Sequence, residues 1–265
     1  MTMAQRARPP RGLMLKLSRA RKQLRQLRRT SERHFSRQKV RWERRQNDEG
    51  THYVYRLITT DPPESIQILA DEAVHHLRSV LDHLVTGFVE ATGRTFSGDL
   101  GFPLLIKKPS TSKEINSFEK SIGNIKGPAR QLIVDSQPYQ RGDAAKMHPL
   151  WILSRLDNRF KHTSLHLLVY RVSAPDVPGI IRHRGADRGG ALENGDVFAE
   201  VPIRDNVHEE FEKEITVTVS IGSEYTDIEG FGLGEIEDIY NFVRDEVFRK
   251  AIRGRLPRRI KRPPL

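Results

Sequence analysis

Histidine stands beside a cation and a carboxylate in two short stretches of the chain. The first reads His75-His76-Leu77-Arg78-Ser79-Val80-Leu81-Asp82-His83-Leu84, and the second reads Asp157-Asn158-Arg159-Phe160-Lys161-His162. Histidine exchanges protons near neutral pH, and a nearby cation stabilises negative charge that develops in a reaction. The polar residues of both stretches therefore form a candidate site, made of Arg78, Asp82, His83, Asn158, Lys161 and His162.

A helix predicted from about 64 to 92 carries the first stretch, and its apolar residues fall on one broad face around Leu77, Leu81 and Leu84. Helical periodicity gives this face two polar flanks, one with Asp71, His75, Arg78 and Asp82 and the other with His76 and His83. Arg78 and Asp82 are four residues apart and can pair. The side chains of Arg78 and His83 point about 140° apart on the helix. Both can therefore reach one substrate atom only if the substrate lies across the helix, or if a second copy of the helix supplies one of the two residues.

The spacing of Arg78 and His83 resembles that of the HEPN superfamily. In that superfamily an Arg is followed, after four to six intervening residues, by a His, and the two cleave RNA without a metal at the interface of a helix pair. The run Arg78-Ser79-Val80-Leu81-Asp82-His83 matches this spacing. It departs at Ser79, where the nuclease members usually carry Asn, Asp or His. The resemblance implies a metal-independent ribonuclease in which His83 is the general acid or base and Arg78 stabilises the phosphorane charge.

A longer series of motifs resembles a family of uncharacterised bacterial and phage proteins. Its parts are a basic helix with spaced leucines, a strand ending in Pro62-Pro63, the run from His75 to Val85, Gly101-Phe102-Pro103-Leu104, Gln137-Pro138-Tyr139, and Leu150-Trp151-Ile152-Leu153 followed by Asn158 and Lys161-His162. The resemblance covers roughly residues 13 to 170. It brings no known activity with it.

The same polar residues also have a structural interpretation. An Arg, Asp and His set beside an apolar face is more often a network that clamps two helices, because buried charge must be paired. Asn158, Lys161 and His162 lie at the end of a helix predicted from about 144 to 158 and could equally form its C-terminal cap, since cations suit that end of the helix dipole. The leading hypothesis is therefore an interaction or regulatory protein with a structural network. The alternatives are the ribonuclease and a protein that binds nucleic acid without sequence preference through its basic termini.

Other chemistries have less support in the sequence. The chain has no cysteine, and its histidines lack an HExxH or comparable ligand spacing, so no metal site is expected. Gly230-Phe231-Gly232-Leu233-Gly234 lacks the lysine of a phosphate-binding loop, and no Gly-x-Ser-x-Gly elbow occurs. No cofactor is expected either.

Charge is concentrated at the two ends of the chain. Residues 1 to 45 hold sixteen Lys and Arg against two acidic residues, and residues 249 to 265 hold eight with no acidic residue. The chain as a whole is +11, so residues 46 to 248 carry −11. The basic ends either contact nucleic-acid phosphates without sequence preference or fold back over the acidic body. Neither end interleaves aromatic residues as a base-stacking surface does.

The order of elements predicts an α+β fold with an antiparallel sheet. Leu13, Leu17, Ala20, Leu24 and Leu27 predict a helix over about 12 to 42, with a seam that packs on the body or on a second subunit, which would make a homo-oligomer. The other predicted helices cover about 64 to 92, 110 to 121, 128 to 136, 144 to 158 and 234 to 250. Strands are predicted at 52 to 60, 163 to 173, 178 to 183, 196 to 203 and 214 to 222.

These elements predict a flexible lead over 1–11, a single α+β domain over 12–250 and a disordered basic tail over 251–265. Within the domain, 12–162 is mainly helical with one short strand, 163–222 is mainly β, and a terminal helix covers 234–250. No run of about 18 apolar residues occurs and the basic N-terminus lacks a secretory h-region, so no membrane partner and a cytoplasmic location are expected.

Overall fold

The predicted α+β class is confirmed in a computed structural model of the chain. The structure describes residues 11–36, 40–93, 100–162, 168–183, 192–204, 206–221 and 233–252, so the predicted lead and tail lie almost wholly outside it. Its α-helices are α1 (Arg11–Ser36), α2 (Glu64–Ala91), α3 (Ser112–Ser121), α4 (Gly127–Asp135), α5 (Pro149–His162), α6 (Val207–Glu214) and α7 (Leu233–Phe242). Its strands are β1 (Val40–Gln46), β2 (His52–Thr59), β3 (Leu168–Ser173), β4 (Ile181–Arg182), β5 (Val197–Pro202) and β6 (Thr216–Ile221).

Two compact units interleave along the chain. The first unit draws its described residues from 1–24, 70–162 and 236–265, and the second from 25–69 and 163–235. The division falls inside α1, α2 and α7. The predicted single domain over 12–250 stays a prediction.

The first unit is built around α2, whose periodicity dictates its core. The predicted apolar face is buried along its length, with Leu77, Val80 and Leu81 fully inaccessible. A capping box starts α3, since the Thr111 side chain accepts the Glu114 N–H and the Glu114 carboxylate accepts the Thr111 N–H. The sequence predicted this helix over about 110 to 121, and the structure places it at Ser112–Ser121.

The second unit contains a four-stranded antiparallel sheet of order β1-β2-β5-β4 and a two-stranded antiparallel sheet of β3 and β6. Tyr55, Leu57, Phe198 and Phe211 are buried at the centre of its core. The strands predicted at 178 to 183, 196 to 203 and 214 to 222 are present in shortened form. The prediction at 163 to 173 is described only from Leu168 onward.

The prediction of a helix to residue 42 is wrong, because Val40 begins β1. This strand pairs with β2 in register from Val40 opposite Thr59 to Gln46 opposite Tyr53. The turn between them is fixed by the Asn47 side chain, whose oxygen accepts the N–H groups of Thr51 and His52. Pairing with β2 across this turn therefore decides the conformation of the segment, against the predicted extension of the helix.

The seam of α1 is covered within a single chain. Its five predicted members, Leu13, Leu17, Ala20, Leu24 and Leu27, are all buried. The same face continues through two buried polar residues, Ser31 and His34, that the apolar pattern did not mark. His34 Nε2 lies 2.6 Å from the Tyr170 hydroxyl, which donates to the Thr60 carbonyl oxygen.

Three further features of the helices differ from the prediction. Two 3₁₀ segments separated by a kink at Gly142 cover Pro138–Met147 and precede α5, so α5 begins at Pro149 rather than near 144. The short helix α6 was not predicted. The terminal helix is present but changes after α7 into a π-helical turn over Val243–Phe248. No described helix is long and apolar enough to cross a membrane.

His148 determines where α5 begins. Its side chain is buried, its Nδ1 accepts the Leu150 N–H at 3.1 Å, and its ring meets Phe242 edge-on at 4.7 Å. The N–H groups of a first helical turn have no partner within the helix, so this acceptor takes the role of a capping side chain. Burial, with a smaller contribution from Arg141, lowers the pKa of His148 from 6.5 to about 4.

This lowered pKa predicts a loss of stability in acid. The unfolded chain binds the proton near 6.5 and the folded chain only near 4, so the stabilisation is complete above pH 6.5 and is lost as the pH falls towards 4. The loss attributable to His148 should reach about 3 kcal/mol. His148→Asn keeps a capping acceptor but does not titrate, so its free energy of unfolding should fall less steeply over this interval in urea titrations at a series of pH values. His83→Asn, at an exposed position, should keep the wild-type slope, and equal slopes in all three proteins would contradict the assignment.

Candidate functional site

Asp82 of α2 holds an irregular segment of the first unit in place. Its Oδ2 accepts Arg78 Nε at 3.1 Å, and its Oδ1 accepts both Arg78 Nη2 and the Phe102 N–H at 2.9 Å. A Cβ added at Gly101 would meet Asp82 Oδ1 at 3.4 Å, so the loop backbone lies directly against this pair. The predicted i, i+4 pair therefore exists, and it has a third member in the backbone of Phe102.

His83 stands apart from this cluster. The residue is exposed and makes no hydrogen bond or ion pair with any residue that the structure describes. The Arg78 guanidinium is held by Asp82, which lies on the predicted flank of α2 opposite to His83. Within one chain, the structure does not bring Arg78 and His83 together as an acid-base pair.

The two histidine stretches meet through residues outside the predicted site. Asp157 is buried, with Lys161 Nζ at 2.6 Å from its Oδ2 and His75 Nδ1 at 4.0 Å from its Oδ1. Burial raises the pKa of Asp71 above its ordinary value, His75 opposes the rise, and Asp157 adds to it. Both His75 and Asp157 belong to the stretches first singled out, but only the packing of α5 against α2 shows that they are neighbours.

The remaining predicted residues are Asn158, Lys161 and His162, which all belong to the last turns of α5 but have different surroundings. Lys161 is committed to Asp157, whereas Asn158 is exposed and lines an adjacent groove. His162 is the last residue of α5, and its side chain lies outside what the structure describes. The described members of the predicted set are thus dispersed: Arg78 and Asp82 form a clamp, Lys161 pairs with Asp157, and His83 and Asn158 are exposed on different helices.

On the other flank of α2, His76 is partly buried. Burial lowers its pKa, and the charges of His75, Lys16 and Arg19 lower it further. Its Nδ1 is inaccessible and has no hydrogen-bond partner among the described residues. A positively charged imidazole is disfavoured there, which suits His76 to packing against its neighbours.

A groove of about 600 Å³ lies between the segment 103–109, α3 and α5. Gln137 fixes its wall, because the buried amide donates to the Pro103 carbonyl at 2.8 Å and accepts the Leu105 N–H at 3.1 Å. Tyr139 adds a backbone hydrogen bond to the Leu105 carbonyl. Gln137-Pro138-Tyr139 stands out in the sequence as a motif, but the motif does not predict that these residues contact the segment 103–105.

The solvent face of α1 is a second candidate surface. Opposite the buried seam it exposes seven cations: Arg19, Arg21, Lys22, Arg25, Arg28, Arg29 and Arg33. Its single acidic residue, Glu32, pairs with Arg28 at 3.4 Å. Arg19, Arg21, Lys22, Arg25 and Arg29 form no ion pair within the described part of the chain.

These surfaces differ in the chemistry they allow. Among the described residues, no group of three His, Asp or Glu side chains is placed to hold a metal ion. The clamp uses both of its charges internally, whereas the groove and the α1 face present side chains to solvent. Of these surfaces, the groove and the α1 face are therefore the two that present unpaired side chains to a ligand.

Comparison of the chain with protein-family models, with curated proteins and with solved structures finds no match.

If the clamp is architectural, its removal should affect stability in a way that the loss of His83 does not. Asp82→Ala leaves a partly buried guanidinium and the Phe102 N–H without their acceptor, so it should lower the free energy of unfolding by about 2 kcal/mol. His83→Ala should change it by less than about 0.5 kcal/mol. Denaturant unfolding measures both, and hydrogen exchange should show faster exchange of the Phe102 amide in Asp82→Ala alone. Equal, small effects of the two substitutions would show that the clamp does not hold the segment.

Proposed function

We propose that the protein is an interaction protein that binds nucleic acid through the solvent face of α1, and that the Arg78 and Asp82 network is architectural. The observation that carries this proposal is the separation of the two faces of α1. Burial of the apolar seam fixes the rotation of the helix about its axis. The cations on the opposite half, from Arg19 to Arg33, are thereby presented to solvent as a continuous surface about 21 Å long.

The charge pattern supports phosphate as the target. Clustered Lys and Arg side chains release counterions from a nucleic-acid backbone, which favours binding without regard to sequence. If these cations neutralised the acidic body instead, they would be expected to pair with its carboxylates, and the five named above do not do so within the described residues. No aromatic side chain is exposed on α1 beside them, so base stacking is not part of the proposal.

A metal-independent ribonuclease is the alternative that the Arg78 and His83 spacing suggested. Because Asp82 occupies the Arg78 guanidinium and His83 is exposed, that reaction would need a second copy to supply one of the two groups. The architectural proposal expects no cleavage of mixed RNA by purified protein in EDTA. Cleavage that disappears in a folded His83→Ala variant would overturn it.

Nucleic-acid binding is tested by removing charge from α1. A variant with Arg19, Arg21, Lys22, Arg25 and Arg29 changed to Gln keeps good helix formers at exposed positions. It should bind labelled duplex DNA and single-stranded RNA at least about tenfold more weakly, and the slope of log affinity against log salt should fall by about 4. Fluorescence anisotropy over a salt series measures both quantities.

The matched control removes five exposed cations from the first unit, with Lys108, Lys113, Lys120, Arg141 and Lys146 changed to Gln. It makes the same change in net charge, so it should bind less than about twofold more weakly if α1 is the contact surface. Equal losses in both variants would show that net charge alone causes the binding. No binding by the wild-type chain at low salt would overturn the proposal.

A further inference from the structure

We propose that the groove between residues 103–109, α3 and α5 binds an extended peptide segment of a partner protein, one in which an apolar side chain stands next to a carboxylate. This inference concerns a different surface from α1 and does not depend on nucleic-acid binding.

The floor of the groove is apolar and partly open. Leu104, Leu105 and Trp151 are half-buried, and Ile106 is 37% exposed. Phe118, which is buried, lies beneath them. A half-buried tryptophan flanked by aliphatic side chains is the composition of a binding hot spot rather than of an ordinary polar surface.

The wall of the groove is held before any ligand arrives. Gln137 is fully buried and bonds the backbone on both sides of Leu104, at Pro103 and at Leu105. The other end of the segment is joined to α3, because the Glu114 carboxylate accepts the N–H groups of Ser110 and Thr111. A preformed wall reduces the ordering that binding would otherwise require.

The charges at the rim favour an acidic ligand. Arg155 is exposed, its guanidinium lies 5.9 Å from the centre of the Trp151 ring, and it forms no ion pair within the described residues. Lys107 adds a second exposed cation. The one carboxylate in the lining, Glu114, is occupied by the start of α3, so a carboxylate from outside is the complement that Arg155 lacks.

The shape favours a peptide over a compact small molecule. The groove is open along one side, whereas small-molecule sites bury most of their ligand's surface. Asn158 is exposed at the edge and makes no hydrogen bond with a described residue, so its amide is available as both donor and acceptor. An extended backbone offers N–H and C=O groups that match it, while alternate side chains enter the apolar floor.

The test is selection of a displayed library of random decapeptides on the immobilised full chain, followed by affinity measurements with the selected peptides. The selected peptides should place an apolar residue within two positions of Asp or Glu. Binding should weaken at least about tenfold in Arg155→Glu and in Trp151→Ala, as for central hot-spot residues. Because Arg155 is exposed, its substitution leaves the fold intact even if Trp151→Ala is destabilised.

Lys146→Glu is the matched control, since Lys146 is exposed and does not line the groove. It should bind the peptides as the wild type does, and so should the α1 variant. The proposal is overturned if no peptide is selected, or if the selected peptides bind Arg155→Glu unchanged. It is also overturned if a single-stranded oligonucleotide competes for the groove and loses its own binding in Arg155→Glu, since the groove would then belong to nucleic acid.

Discussion

The backbone of the irregular segment 100–110 needs hydrogen-bond partners that it does not find in a helix or a sheet. Three elements of the first unit supply them. Asp82 accepts the Phe102 N–H, the Ser121 carbonyl accepts the Gly101 N–H, and Gln137 bonds both Pro103 and Leu105. Burying a backbone N–H or C=O without a partner costs about as much free energy as losing a hydrogen bond. The segment can therefore lie against α2 only because Asp82, Ser121 and Gln137 supply the partners.

This constraint explains why the most chemically suggestive residues of the sequence are not free to do chemistry. A carboxylate that accepts three N–H groups has little remaining capacity to act as a base, and the guanidinium bound to it is not directed at a ligand. Three polar side chains near these elements form no hydrogen bond to the backbone of the segment: Asn158, Arg155 and His83. Two of these three line the groove whose wall Gln137 holds.

Local patterns in the sequence predicted what depends on local geometry. The face of α2, the seam of α1 and the Arg78 and Asp82 pair all follow from a helical period and are present. Strand β1 was missed because its partner β2 lies across a turn, and its pattern of charged residues does not distinguish an edge strand from a helix. The pairing of His75 with Asp157 joins α2 to α5, and the contact of Gln137 with Pro103 spans 34 residues. Neither contact could be predicted from a periodic pattern in the sequence.

The same limit applies to surfaces. Sequence counts showed that residues 1 to 45 are basic, but the count is equally compatible with cations that fold over acidic residues. What distinguishes the two is the direction in which the side chains point, and in α1 the buried seam determines that direction. Because the apolar stripe is narrow and lies on one side, the helix has a single stable rotation, which places its cations in solvent. The position of leucine in this helix therefore controls the electrostatics of the surface, and any substitution that turns the seam would also move the charge.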